Sequence, residues 1–191
     1  MKEKILILDN YDSFTYNLVH YVKELTDAEV DVIRNDKIEL EEIKKYDTII
    51  FSPGPGVPEN AGIMIDAIKQ YAPHKKMLGV CLGHQAIGMA FGSDLKNLSK
   101  VYHGVQTPVK ILDTNDPIFN EIEQKTDVGR YHSWVIDKSS LSNDLKITAE
   151  AEDGQIMAVK HKKYRVWGLQ FHPESIMTDK GKLIIKNFLR L

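Results

Sequence analysis

Over the first half of the chain, short unbroken apolar runs alternate with longer stretches whose apolar residues recur at helical spacing. Ile5-Leu6-Ile7-Leu8 is such a run, so Lys4 to Leu8 reads as a strand buried on both faces. Phe14 to Leu25 then places Phe14, Leu18, Val22 and Leu25 along one helical face. Val30 to Ile33 predicts a second strand and Leu40 to Lys45 a short helix. Thr48 to Phe51 predicts a third strand that runs into a loop of prolines and glycines. Ile63 to Tyr71 is helical in pattern, Met77 to Val80 a strand, and His84 to Phe91 the next helix. This repetition of strand and helix implies a parallel sheet covered on both faces.

After Gly92 the pattern changes. Val109 to Leu112, Tyr131 to Ile136, Lys146 to Ala149, Met157 to Val159 and Val166 to Phe171 are strand-like with short turns between them. A terminal helix from Lys182 to Leu189 would bury Leu183, Ile184, Phe188 and Leu189. The expected fold is α/β, its parallel sheet extended by antiparallel strands and hairpins.

Composition narrows the function classes. At 191 residues the chain is long enough for one well-buried core, and no low-complexity linker divides it, so residues 1–191 are expected to form one domain. The net charge is −2 with both signs spread along the chain. There is no basic stripe of the kind nucleic acid or a membrane surface requires, which points to small soluble partners. The apolar run after Met1 is too short for a signal peptide and ends at Asp9, which predicts a cytoplasmic protein. A single cysteine forms no internal disulfide, which fits a reducing compartment.

That cysteine is the first candidate for chemistry. Gly79-Val80-Cys81-Leu82-Gly83 lies between an apolar run and a helical segment, with a glycine two residues to either side. A sharp strand-to-helix turn needs such glycines, because flanking Cβ atoms would clash when the backbone is bent to expose one side chain. The unpaired N–H groups and dipole of the following helix start would favour an attacking thiolate. The plain alternative is a cysteine buried as a small hydrophobe.

A nucleophilic cysteine needs a base and a group that orients it. His172 follows the strand Val166 to Phe171 and precedes Pro173 and Glu174. In an open α/β sheet functional groups gather beyond the carboxyl ends of strands, where Cys81 and His172 both fall. Pro173 would hold Glu174 near the imidazole, leaving its other nitrogen free to face the sulfur. Taken alone, an exposed His and Glu after a strand are common. A zinc site built from Cys81, His84, His172 and Glu174 is the competing arrangement, but it leaves the turn glycines without a purpose. The loop Ser52 to Pro58 resembles half of an oxyanion hole: the backbone N–H of Gly56 would act beside that of Leu82, just after the nucleophile. Its alternative is a rigid surface turn.

Pro-Gly-Pro-Gly at 53–56, Gly-Val-Cys-Leu-Gly-His-Gln at 79–85 and Phe-His-Pro-Glu at 171–174 together resemble the class I glutamine amidotransferase domain with a Cys-His-Glu triad. Asp9 to Leu18, Arg130-Tyr131-His132-Ser133 and His172 to Ile176 narrow the resemblance to the small subunits of anthranilate synthase and aminodeoxychorismate synthase. The resemblance implies a mixed, mostly parallel central sheet flanked by helices, with an additional small antiparallel sheet. It implies that Cys81, His172 and Glu174 are catalytic and that Gly54, Pro55, Gly56, Gln85, Ser133 and Trp134 hold glutamine. It further implies hydrolysis of L-glutamine to glutamate, with ammonia delivered to a large chorismate-using synthase subunit. No cofactor or metal is implied for this chain, whereas the synthase partner would need Mg. The reactions served would be tryptophan biosynthesis, folate biosynthesis or both.

Two departures and two other functions belong beside that reading. Relatives often carry a lysine after the His-Gly of the middle segment, where this chain reads His103-Gly104-Val105-Gln106. Trp134 stands where a leucine is common, and a substrate contact through the backbone tolerates it. His20, His74, His84, His103, His132 and His161 receive no catalytic role. Tyr11, Phe14 and Pro58 are expected to be exposed at the active edge as part of a partner surface. The other functions are a γ-glutamyl hydrolase of related fold, against which Asp9 to Leu18 speaks, and a non-catalytic regulatory module, against which the complete triad speaks.

Overall fold

The computed structural model describes residues 2–191. Within them the chain runs β1 (Lys4–Asp9), α1 (Thr15–Leu25), β2 (Glu29–Arg34), β3 (Thr48–Phe51), α2 (Met64–Tyr71), β4 (Lys76–Val80) and α3 (Leu82–Ala90). It continues through β5 (Leu95–Asn97), β6 (Val105–Ile111), β7 (Lys125–Arg130), β8 (Trp134–Ile136), β9 (Leu145–Ala151), β10 (Ile156–His161), β11 (Val166–Leu169) and α4 (Gly181–Leu189). No helix among the described residues is long and apolar enough to cross a membrane.

One mixed sheet of nine strands forms the frame, in the order β2-β1-β3-β4-β11-β10-β9-β6-β7. From β2 to β11 the neighbours are parallel, and from β11 to β7 they are antiparallel. The apolar runs form the parallel half because side chains alternate between two covered faces. Ile5 and Ile7 pack with Leu18 and Val22 of α1 and with Ile184 and Phe188 of α4. Leu6 and Leu8 turn the other way, onto Met64 and Ile68 of α2 and Ala86 and Ile87 of α3. Strands β5 and β8 form a separate two-stranded antiparallel sheet. The mixed sheet, flanking helices and small second sheet are those the sequence predicts.

Differences from the sequence reading have local causes. Leu40–Lys45 is a 3-10 helix, closed by a capping box in which Glu39 and Glu42 satisfy each other's backbone N–H groups. Strand β7 went unpredicted because its inward residues are Thr126, Val128 and Arg130, so a period of two is present without an apolar signature. The predicted strand Tyr131 to Ile136 is only half formed: residues 131–133 leave the main sheet, and Trp134–Ile136 cross to pair with Leu95–Asn97.

The register defines where chemistry gathers. Leu8 lies beside Phe51, Phe51 beside Gly79, and Val80 beside Leu169. Asn10, Ser52, Cys81 and Gln170 therefore emerge together past the carboxyl ends of four adjacent parallel strands.

Candidate active site

Cys81 occupies the turn between β4 and α3 with φ 50° and ψ −98°. Such a backbone costs a non-glycine residue about 1–3 kcal/mol, so its surroundings must hold it. They do so through its own backbone: the Cys81 N–H donates to the Leu169 carbonyl at 2.8 Å, and its carbonyl accepts from Gln85 N–H at 3.0 Å. The glycines serve close approach. A Cβ on Gly79 would lie 2.4 Å from the Gly83 carbonyl, and one on Gly83 2.6 Å from the Phe51 carbonyl oxygen. Cys81 is 6 % exposed. Leu82 opens α3, so its N–H belongs to the first turn, where backbone donors have no partner within the helix.

His172 and Glu174 are both buried, with His172 Nδ1 2.7 Å from Glu174 Oε1. The His172 N–H donates to the Gly129 carbonyl, while Thr178 Oγ1 and Ser175 N–H donate to the His172 carbonyl. Phe14 and Tyr131 set their rings edge-on to the imidazole at 5.1 and 4.9 Å. Nε2 is buried and makes no hydrogen bond of ordinary geometry. Burial disfavours the charged ring, but the charge of Cys81, then that of Glu174, outweighs it and holds His172 well above the usual histidine value. The imidazole thus sits between a sulfur that favours its proton and a carboxylate that fixes its far side.

The proline and glycine loop is anchored from beneath. Asn10 Nδ2 donates to the Ser52 carbonyl and Asn10 N–H to Ser52 Oγ, each at 2.8 Å, while Asn35 Nδ2 donates to Asn10 Oδ1 at 2.9 Å. Gly54 sits so tightly between Asn10 and Leu82 that a Cβ would come within 2.7 Å of both side chains. Gly56 has φ +76°, and both it and Pro55 form an exposed rim. Gln85 is buried and donates to the Trp134 carbonyl at 2.9 Å. Ser133 and Trp134 are half-buried, and Leu98 N–H holds the Ser133 carbonyl at 2.8 Å.

A model of the family described as glutamine amidotransferase class-I matches residues 6–191. The chain belongs to the class-I glutamine amidotransferases. It is 50 % identical over 187 residues to anthranilate synthase component 2 of Lactococcus lactis, covering 97 % of this chain and 93 % of that one. It is 44 % identical over 192 residues to the bifunctional protein TrpGD of Thermotoga maritima; the match takes in 99 % of this chain but spans only 32 % of that longer relative. In fold it is similar to the crystal structure of a glutamine amidotransferase from Thermotoga maritima, with a TM-score of 0.81 at 13 % identity over 100 % of this chain and 97 % of that one.

Within this amidotransferase, Cys81, Leu82, Gly54, Gln85 and Trp134 meet around one strand edge with the His172–Glu174 pair. Four residues beside these groups had no catalytic or glutamine-binding role in the sequence reading. Asn10 and Gln170 lie just past strand ends, and Phe14 and Tyr131 enclose the imidazole. Only position could have found the first two, each one residue beyond the end of a parallel strand, Asn10 after β1 and Gln170 after β11. Two of the expected partner-surface residues require correction. Pro58 is buried at the start of a short 3-10 helix, and Phe14 is half-buried because it packs on Tyr131 and His172, whereas Tyr11 is 48 % exposed. Gln106, where relatives often have lysine nearby, donates to the Met177 carbonyl and to Asp179 Oδ1. Among the histidines, His20 is exposed and His161 is buried against Tyr164. Burial, followed by the Arg130 charge, lowers His132 to about 3, and Arg130 Nε donates to its Nε2.

Proposed function

We propose that this chain hydrolyses L-glutamine to L-glutamate and passes the ammonia to a large chorismate-using synthase subunit that makes anthranilate. The observation that carries the reading is the strained Cys81 turn beside the buried His172–Glu174 pair. Cys81 Sγ attacks the side-chain amide carbon, and the proton held at His172 Nε2 passes to the departing ammonia, leaving a glutamyl thioester. Water attacks that thioester, gives a proton to His172, and releases glutamate and the thiolate. The N–H groups of Leu82 and Gly56 receive the developing oxyanion, and Glu174 keeps the ring in register. Gly54, Pro55, Ser133 and Trp134 hold the amino-acid end of glutamine through the backbone. Every step is an acyl or proton transfer within reach of these groups, and Mg is assigned to the synthase partner.

Anthranilate is favoured as the product because relatives at 44–50 % identity carry the names anthranilate synthase component 2 and TrpGD. Reconstitution with a chorismate-using large subunit tests the whole reading. Cys81→Ala is expected to abolish synthesis from glutamine and to leave synthesis from added ammonium salt intact. Glutamate release by Cys81→Ala at the wild-type rate would overturn the nucleophile assignment. Formation of aminodeoxychorismate in place of anthranilate would overturn the product assignment.

A further inference from the structure

Beneath Cys81 two side-chain amides form a short chain from the main chain to the sulfur. Gln170 is 0 % exposed and Gln85 3 % exposed. An amide has nearly the same shape when turned end for end, so its orientation must come from its partners. The Trp134 carbonyl decides it. A backbone carbonyl only accepts, so the Gln85 atom 2.9 Å away is the nitrogen. That nitrogen also lies 3.3 Å from the side chain of Gln170, so the Gln170 atom facing it is the oxygen. The remaining terminal atom of Gln170 is then the nitrogen, and it faces Cys81 Sγ at 3.7 Å. With both amides buried, each link fixes the next.

We propose that Gln170 is a positioning residue for the nucleophile, donating an N–H to Cys81 Sγ in an orientation set by Gln85 and the Trp134 carbonyl. The proposal rests on Cys81 being the nucleophile of the glutaminase reaction. An N–H aimed at sulfur favours the thiolate over the thiol, because the charged form is the stronger acceptor. It also restrains the side chain of Cys81, whose backbone is already fixed by the Leu169 carbonyl. Gln85 consequently joins the sulfur to Ser133–Trp134, the segment assigned to glutamine binding. The backbone N–H of Gln170 is held separately by the Met157 carbonyl at 2.9 Å, so the strand does not depend on the side-chain bond.

Cys81 is the only cysteine, so iodoacetamide reports on one thiol. The rate of its alkylation is measured against pH for wild type, Gln170→Met, which keeps the length and loses the donor, and Gln170→Glu, which keeps the shape and puts oxygen where the nitrogen stood. Glutamine turnover is followed with the large subunit present. At pH 7 Gln170→Met is expected to alkylate about three- to ten-fold more slowly than wild type, and Gln170→Glu more slowly still. Both alkylation profiles should move to higher pH, and kcat should fall with KM changed by less than about two-fold. Profiles of folded variants that superimpose on that of wild type would overturn the proposal, even with turnover reduced. If neither Gln170 variant folds, Gln85→Met tests the link from its other end: a profile moved to higher pH supports it and an unmoved one overturns it. Wild-type protein that keeps its turnover after alkylation would instead remove the nucleophile assignment, and this proposal with it.

Discussion

His172 Nδ1 lies 2.7 Å from Glu174 Oε1, with only Pro173 between the two residues in the chain. Burial of both groups makes this contact a determinant of proton affinity as well as of orientation. Burial opposes the charged ring, and the charges of Cys81 and Glu174 outweigh it, so the folded protein holds the His172 proton more tightly than the unfolded chain does. The resulting stabilisation is complete below the unfolded value of about 6.5 and is lost as pH rises through the higher folded value. Glu174→Gln keeps an acceptor for Nδ1–H but removes the charge. Its melting temperature should fall furthest below that of wild type near pH 6, with the gap closing as pH rises. Its kcat/KM for glutamine should drop about 10- to 100-fold. A gap independent of pH would show that the carboxylate charge is not what holds the ring's proton.

The turn glycines predict a contrast in stability. A Cβ on Gly79 would meet the Gly83 carbonyl at 2.4 Å and the His84 nitrogen at 2.7 Å, all backbone and unable to step aside. A Cβ on Gly88 would meet Ile136 Cδ1 at 2.6 Å, the far end of a side chain that can change rotamer. Gly79→Ala should therefore lose at least about 1–3 kcal/mol in urea unfolding, and Gly88→Ala less. Equal losses would mean that α3 shifts freely against β4, and the close approach would then not explain the glycine.

Much of this was legible from residue pattern, and the exceptions share a cause. The parallel half could be read because strands covered on both faces are apolar without interruption, as in Ile5 to Leu8 and Ile49 to Phe51. Cys81, His172 and Glu174 could be proposed as a set because each follows a strand and the motifs around them together resemble a known family, whereas a lone cysteine or a His and Glu after a strand said little by themselves. Strand β7 escaped because it buries Arg130 and Thr126 where an apolar residue would announce an inward face. Gln170 escaped because an amide has no chemistry of its own. Its role comes from a carbonyl 36 residues earlier in the chain, at Trp134, acting through Gln85. Relations between polar groups that are distant in sequence leave no periodicity behind.

Asn10 links three segments, and its loss should be felt in substrate binding. Asn10→Ala would leave the Ser52 carbonyl and Asn35 Nδ2 without their partner in a buried place. Each orphaned group costs about 1–3 kcal/mol if no water replaces the bond. Because Gly54 packs directly on Asn10, the loop assigned to glutamine should loosen, raising KM several-fold while iodoacetamide still alkylates Cys81 at the wild-type rate. An unchanged KM would separate this network from glutamine binding.

His84 should limit stability in acid. It lies on α3 at 0 % exposure against Gly168, neither ring nitrogen has a hydrogen-bond partner of ordinary geometry, and burial lowers it to about 3. In the unfolded chain the same ring takes up a proton below about pH 6.5. Between those values the unfolded state binds more protons, so stability falls as pH falls, by at most about tenfold in the folding equilibrium per pH unit from this one residue. His84→Leu removes that dependence. Relative to wild type the variant should gain stability steadily from about pH 6 down to pH 4, whatever the packing change costs it at neutral pH. His132, also held to about 3, would still oppose acid in the variant, so its curve should be shallower and not flat. Urea midpoints measured across that range decide the matter, and parallel curves for the two proteins would mean that His84 is protonated as readily in the fold as in the unfolded chain.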